Sequence, residues 1–360
     1  MMKVGILTFH NAINYGAVLQ TYATQEILKS LGYEAEVIDY HNKAIDSAYR
    51  GFNFKLMPKR HPKGLVKYII YCLRFKKRKK AFDKFSSSYL NLSQKRYIQG
   101  VDMVISGYDN ILIGSDQLWN TILTNGFDDI YWGNFESGKA KKIAWAVSMN
   151  YMSHDETEVE KIKSYLNNFY AISVREEVLK VWLNKLTQEP VTIVLDPTLT
   201  LSADKWNNIT PNNNFGDYIL SFSVLYQEEV YKTAKQLSKS TGLKVIYLKA
   251  YSDHKIGTNI LQHAGPLAFL SLIKNAKYVV TGSFHGTAFS IIFKKNFYSI
   301  MDKRTPNTRI TSLLSTLGIS DRACGFNEIK VLPDIDYTKV DYILNEKRQE
   351  AMSFLETSLK

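Results

Sequence analysis

The sequence is poor in cysteine: among 360 residues only Cys72 and Cys324 occur. They form no CxxC pair and no zinc-type Cys/His cluster, so a disulfide framework is excluded and no metal site is expected. Two isolated thiols suit a reducing compartment, and a cytoplasmic location is expected. No run of about 18 apolar residues appears, so no segment should span a membrane. The apolar opening, Met1–Phe9, is too short for a signal peptide and turns polar at His10 and Asn11, as a first strand would. The pattern G-x-G-x-x-G is missing after that strand, which argues against a dinucleotide cofactor. Acidic residues are missing from Ser47–Phe82, a window that holds twelve Lys and Arg. The other 34 basic residues match the 34 acidic ones, so the net charge of +12 belongs to that one segment.

What is present is the composition of a packed globular protein, 45% apolar and 13% aromatic. The length favours two domains over one core. Strand-like and helix-like runs alternate, the pattern of an α/β protein with parallel sheets. Strands are expected at Lys3–Thr8, Glu34–Asp39, Asn110–Ile113, Lys142–Ser148, Ala171–Val174, Val191–Leu195, Asp217–Val224, Lys244–Leu248 and Tyr278–Thr281. Turn composition between Trp206 and Gly216 marks a linker. The expectation is two Rossmann-like domains facing across a cleft, 1–205 and 206–336, with a basic insertion at 47–82. A helix over 337–360 should pack on the body, and ligands should bind at the carboxyl ends of strands.

Several such strand ends carry chemistry. Tyr278–Phe293 reads as a buried strand, a Gly/Ser turn and an apolar helix with His285 in its first turn. Ser283 is placed to cap that helix, and Gly286 permits a close approach to the backbone. A helix start binds anions, so a histidine there sets a proton donor beside a phosphate or carboxylate. The first βα turn offers His10, Asn11, Asn14 and Tyr15 as ligand contacts; an ordinary capped loop is the plainer reading. Ile111–Asn120 ends a strand in Gly114, Ser115 and Asp116, which is placed as a general base or as a turn aspartate over a packed Trp119. Arg175 ends another strand and either clamps an anion or pairs with Glu176 or Glu177. Lys249 has the same topological place. Leu65–Lys80 mixes apolar, aromatic and cationic residues, as expected of a helix lying on anionic lipid. With no nucleic-acid motif in the chain, no nucleic-acid partner is expected.

Together these segments resemble the polysaccharide pyruvyl transferase family. The residues that carry the resemblance are Gly5–Phe9 with Asn14–Gln20, Gly114–Asn120, Ser173–Glu176, Asp196–Thr198 and Ser283–Phe289, with Asn307 and Arg309 as a fainter match. The resemblance implies a GT-B-like fold and a transferase that uses phosphoenolpyruvate as co-substrate, with no further cofactor. It implies a pyruvate ketal formed across two hydroxyls of a sugar, on a lipid-linked precursor of a capsule or exopolysaccharide, with release of phosphate. His285 would be the acid and Asp116 the base. Arg175, Ser283, Gly286, Thr287, Lys249 and Arg309 would hold the donor, and His10, Asn11, Asn14, Tyr15 and Gln117 the acceptor. The chain has Ser283 and Phe284 where some relatives carry an arginine, so another cation is expected to serve the donor. A nucleotide-sugar glycosyltransferase and a non-catalytic glycan- or lipid-binding protein are the alternative readings. Docking through 50–80 would place the protein on the inner face of the cytoplasmic membrane.

Overall fold

The computed structural model describes residues 1–49, 62–100, 103–149, 152–213, 215–251, 259–305 and 307–360. Residues 50–61, where the expected basic insertion and membrane contact begin, lie outside the described residues. The chain divides into two units. The first comprises Met1–Tyr49, Ser86–Leu201 and Asn345–Lys360; the second comprises Arg50–Phe85 and Ser202–Leu344.

The first unit is built on seven parallel strands: β1 (Lys3–Leu7), β2 (Glu34–His41), β3 (Leu92–Ile98), β4 (Asn110–Asp116), β5 (Lys141–Val147), β6 (Ala171–Val174) and β7 (Val191–Ile193). Their order is β3-β2-β1-β4-β5-β6-β7. β1 and β4 are buried along almost their whole length, because helices cover both faces of a parallel sheet. The order reverses between β1 and β4, which pair from Val4↔Asn110 to Leu7↔Ile113. Below them lies an aromatic core in which Trp119 stacks on Trp132 at 4.5 Å and donates its indole N–H to the Tyr131 carbonyl.

The second unit holds six parallel strands: β8 (Tyr218–Ser223), β9 (Lys244–Lys249), β10 (Ile260–Leu261), β11 (Tyr278–Thr281), β12 (Asn296–Ile300) and β13 (Ala323–Cys324). Their order, β10-β9-β8-β11-β12-β13, reverses between β8 and β11. Each unit is therefore a doubly wound sheet with its own crevice where the order turns.

The parts of the chain group differently from the 1–205, 206–336 and 337–360 division. Trp206, expected in a linker, lies in the helix Ala203–Ile209 and is fully buried against Phe289, 4.9 Å away edge to face. That burial draws Ser202 onward into the second unit. The helix Pro62–Tyr89, interrupting the first unit in sequence, joins the second as far as Phe85. Arg78 on it donates to the Lys249 carbonyl, and Ala81 packs against Gly265. The C-terminal helix Tyr337–Ser358 divides after Leu344, its later residues grouping with the first unit. Among the described residues, no helix is long and apolar enough to cross a membrane.

Candidate active site

In the second unit the strand–turn–helix forms as its sequence predicts. β11 ends at Thr281, Ser283 caps the helix Phe284–Ile292, and every residue of that helix is buried. The Ser283 hydroxyl accepts the Gly286 N–H, and its carbonyl accepts the Thr287 N–H. Those two amides of the helix start are thus engaged by the cap, and the anion site that a bare helix end would offer is reduced. Gly286 has no side chain for an internal reason: a Cβ there would meet the side chain of Thr281, whose own Cβ is 3.0 Å away. The close approach expected at this glycine is therefore made by strand β11. Thr287 is likewise turned inward, its hydroxyl 2.7 Å from that of Ser299 on β12.

His285 is held at the order reversal, with its ring edge-on to Phe284 at 5.2 Å. Phe284 also seats a cation: the Arg309 guanidinium lies over its ring, 6.0 Å from the centroid. Ser283 and Phe284 carry no positive charge, yet this contact brings one to the same turn. Lys249, at the end of β9, is buried, with Nζ 3.8 Å from Glu228 and over the Tyr247 ring. Ser223, which pairs with Lys249 in the sheet, lies against Gly282, so β8 separates the lysine from the histidine turn.

In the first unit, Asp116 and Arg175 are brought together. Asp116 ends β4 with φ of +77°, and its carboxylate lies 3.4 Å from Arg175 Nη2. Arg175 Nη1 donates to Asp196, whose other oxygen caps Pro197–Thr200 through the Thr198 N–H and hydroxyl. Burial alone would lower the guanidinium's pKa, but the carboxylates of Asp196, Asp116 and Glu176 raise it above its ordinary value. Arg175, expected either to clamp an anion or to pair with Glu176 or Glu177, is thus paired with two aspartates. Glu176 accepts the Ser148 hydroxyl at 2.6 Å; Asp196 follows β7, which adjoins β6 in the sheet, and Asp116 ends β4, on the far side of β5.

The loop residues proposed for the acceptor are mostly engaged in building the loop. Asn14 caps the helix Tyr15–Ser30 through the Gly16 and Ala17 amides, and Tyr15 is buried. Gln117 accepts the Asn120 side-chain amide at 2.7 Å. His10 and Asn11 enter a polar cluster that spacing in sequence does not announce. His10 Nε2 and His41 Nε2 lie 3.0 and 2.9 Å from one oxygen of Asp39, with Arg96 on the other. Burial would raise the Asp39 pKa, but the hydrogen bonds from His10, His41 and Arg96 hold it well below the usual carboxylate range.

The family model for polysaccharide pyruvyl transferases matches residues 14–303, most of the chain and all the strand ends described above except those of β1 and β13. The chain belongs to that family. This polysaccharide pyruvyl transferase family member is accordingly a transferase of polysaccharide biosynthesis with a sugar or glycan acceptor. Comparison with curated proteins gave no match. Among solved structures, UDP-GlcNAc 2-epimerase from Methanocaldococcus jannaschii is 12% identical, covering 96% of this chain and 92% of that one, with a TM-score of 0.44. The glycosyltransferase SnogD from Streptomyces nogalater is 10% identical over 99% of this chain and 97% of that one, TM-score 0.39. UDP-N-acetylglucosamine 2-epimerase from Rickettsia bellii is 11% identical over 99% and 98%, TM-score 0.43. At these scores the neighbours carry no argument about the site.

Proposed function

We propose that this family member transfers the pyruvate unit of phosphoenolpyruvate to two hydroxyls of a sugar on a glycan precursor, forming a ketal and releasing phosphate. One observation carries the reading: His285 stands in the first turn of a buried helix at an order reversal, with Arg309 seated on the adjacent Phe284. That turn supplies a proton donor and a cation, as an anionic enol ester requires. His285 gives its proton to the methylene carbon, which becomes a methyl group, while a sugar hydroxyl bonds to the neighbouring carbon. The carbon–oxygen bond to phosphate then breaks with its electron pair, and the second hydroxyl closes the ketal. Of the two hydroxyl protons, one reloads His285 and the other leaves with phosphate. Arg309 is the donor cation of this proposal, since β8 stands between Lys249 and the histidine turn. Arg175 is committed to Asp196 and Asp116, so neither it nor an Asp116 base is used.

The helix Pro62–Tyr89 supports a peripheral membrane location. Leu65, Ile69 and Leu73 recur every fourth residue and are exposed, as is Val66, among Lys67, Lys76 and Lys77. Such a face suits the surface of an anionic bilayer. Binding to phosphatidylserine vesicles that ignores salt would refute the electrostatic part.

The donor is tested by thermal shift and by phosphate release. Phosphoenolpyruvate should raise Tm where UDP-sugars do not. His285→Ala should keep the fold and lose phosphate release with a glycan acceptor, while Arg309→Ala should chiefly raise KM. Stabilisation by a UDP-sugar alone would replace the proposal with a glycosyltransferase.

A further inference from the structure

The cluster at the ends of β1 and β2 turns two histidines and a carboxylate toward one point. His10 and His41 aim Nε2 at the same oxygen, Asp39 Oδ1, with their rings at 90° and centroids 6.0 Å apart. Each Nδ1 faces a protein acceptor: the Thr8 carbonyl at 3.3 Å for His10, and Asp46 Oδ2 at 2.9 Å for His41. Asn11 Nδ2 donates to Asp46 at 2.6 Å and lies 3.0 Å from His41 Nδ1, bracing that carboxylate. An imidazole that gives Nδ1–H to a carbonyl or carboxylate turns a bare Nε2 lone pair inward, the orientation of a metal-bound histidine with its supporting partner. Two such lone pairs facing one carboxylate oxygen repel unless cations lie among them. Two added protons would satisfy them, and so would one metal ion, which leaves both rings neutral.

We infer that His10 Nε2, Asp39 Oδ1 and His41 Nε2 bind one divalent ion of the zinc type. The three ligand atoms lie within 4.8 Å of one another. Arg96 occupies only Asp39 Oδ2, at 2.8 Å, so Oδ1 stays available. Two imidazoles and a carboxylate favour zinc, cobalt or nickel over magnesium or calcium, and three protein ligands leave a position open to water or a bound group. Asp46 and the Thr8 carbonyl orient the rings. The ion fastens the loop after β1 to the end of β2, beside the reversal in the first unit. Spacing along the chain does not reveal the site, because His10 and Asp39 are 29 residues apart and the pairing of β1 with β2 joins them. The inference involves the first unit alone and stands apart from the donor reading.

The test uses the untagged full-length protein, stripped with a chelator and titrated with Zn²⁺ by calorimetry and with Co²⁺ by visible absorption. One tight ion per chain, a Tm raised by Zn²⁺ and a Co²⁺ spectrum of nitrogen and oxygen ligation are expected. His10→Gln and His41→Gln should each abolish that binding, while Asp46→Asn should weaken it about 10–100-fold. Circular dichroism of the metal-free variants checks their fold, and the wild-type Co²⁺ spectrum decides the matter without any variant. Absence of binding to the stripped wild type, or binding that survives both histidine changes, overturns the inference and leaves a proton-bridged ion network.

Discussion

Asp196→Asn is expected to be among the most damaging single substitutions in the first unit. The Asp196 side chain is fully buried and that of Arg175 is 3% exposed, so their pairing is made out of water. With Asn at 196 the guanidinium would face an amide, and its other partner, Asp116, is 3.4 Å away. Removing one member of a buried ion pair costs about 3–5 kcal/mol, because the other is left desolvated and uncompensated. For a unit of this size that corresponds to a fall in Tm of roughly 6–20 °C. The asparagine can keep its oxygen toward the Thr198 amide, so loss of the helix cap is a minor part of the effect. The decisive comparison is a double-mutant cycle by urea denaturation. Arg175→Met combined with Asp196→Asn should cost less than the sum of the two single changes, since the double variant buries no unpaired charge at that position. A single-variant loss below about 1 kcal/mol, the range of exposed pairs, would refute the reasoning. If Arg175→Met then left stability intact but abolished phosphoenolpyruvate binding, the arginine would be a donor clamp.

Two further outcomes follow from the packing. Gly286→Ala should destabilise the protein by about 1–3 kcal/mol, the usual cost of overpacking, because the new methyl group meets the Thr281 side chain; Thr281→Ala in the same chain should recover part of it. An unchanged urea midpoint would show that the helix shifts freely. Burial pushes the Asp128 carboxyl above the usual range despite hydrogen bonds from Asn42 and Tyr40. A carboxyl raised in the folded state adds stability that is present below its unfolded value, about 4, and lost as pH rises through the folded value. The wild type should therefore gain on Asp128→Asn as pH falls from 7 to 4, and a constant difference in urea midpoint would argue against the raised carboxyl.

The legible parts of the fold were those whose signal is local. β1, β4, β8 and β11 are short buried apolar runs, and the helix after β11 carries its own cap, so Ser283 and His285 could be placed from a few neighbouring residues. β3 escaped notice because an edge strand carrying Gln94, Lys95 and Arg96 is exposed on much of its surface and reads as loop. β10 and β13 are two residues each, too short for any period. Asp196, directly after the strand expected at Val191–Leu195, is the N-cap before Pro197 and the counter-charge of Arg175. Both that pair and the His10–Asp39–His41 cluster depend on which strand ends the sheet places side by side. Residue type at one position does not encode that, and the sequence offers Arg175 only a bound anion or its neighbours Glu176 and Glu177 as partners.

The discontinuity of the first unit also sets the order in which the protein can mature. Arg348 donates to the Leu199 carbonyl at 2.7 Å, Phe354 stacks on Trp145, and Leu355 and Leu359 are fully buried, all within that unit. Asn345–Lys360 is synthesised after every other residue of both units. Domains of a growing chain commonly fold from the N-terminus onward. Here the unit that emerges first cannot be completed early, so the apolar surface around Trp145 stays uncovered until residues 345–360 have emerged.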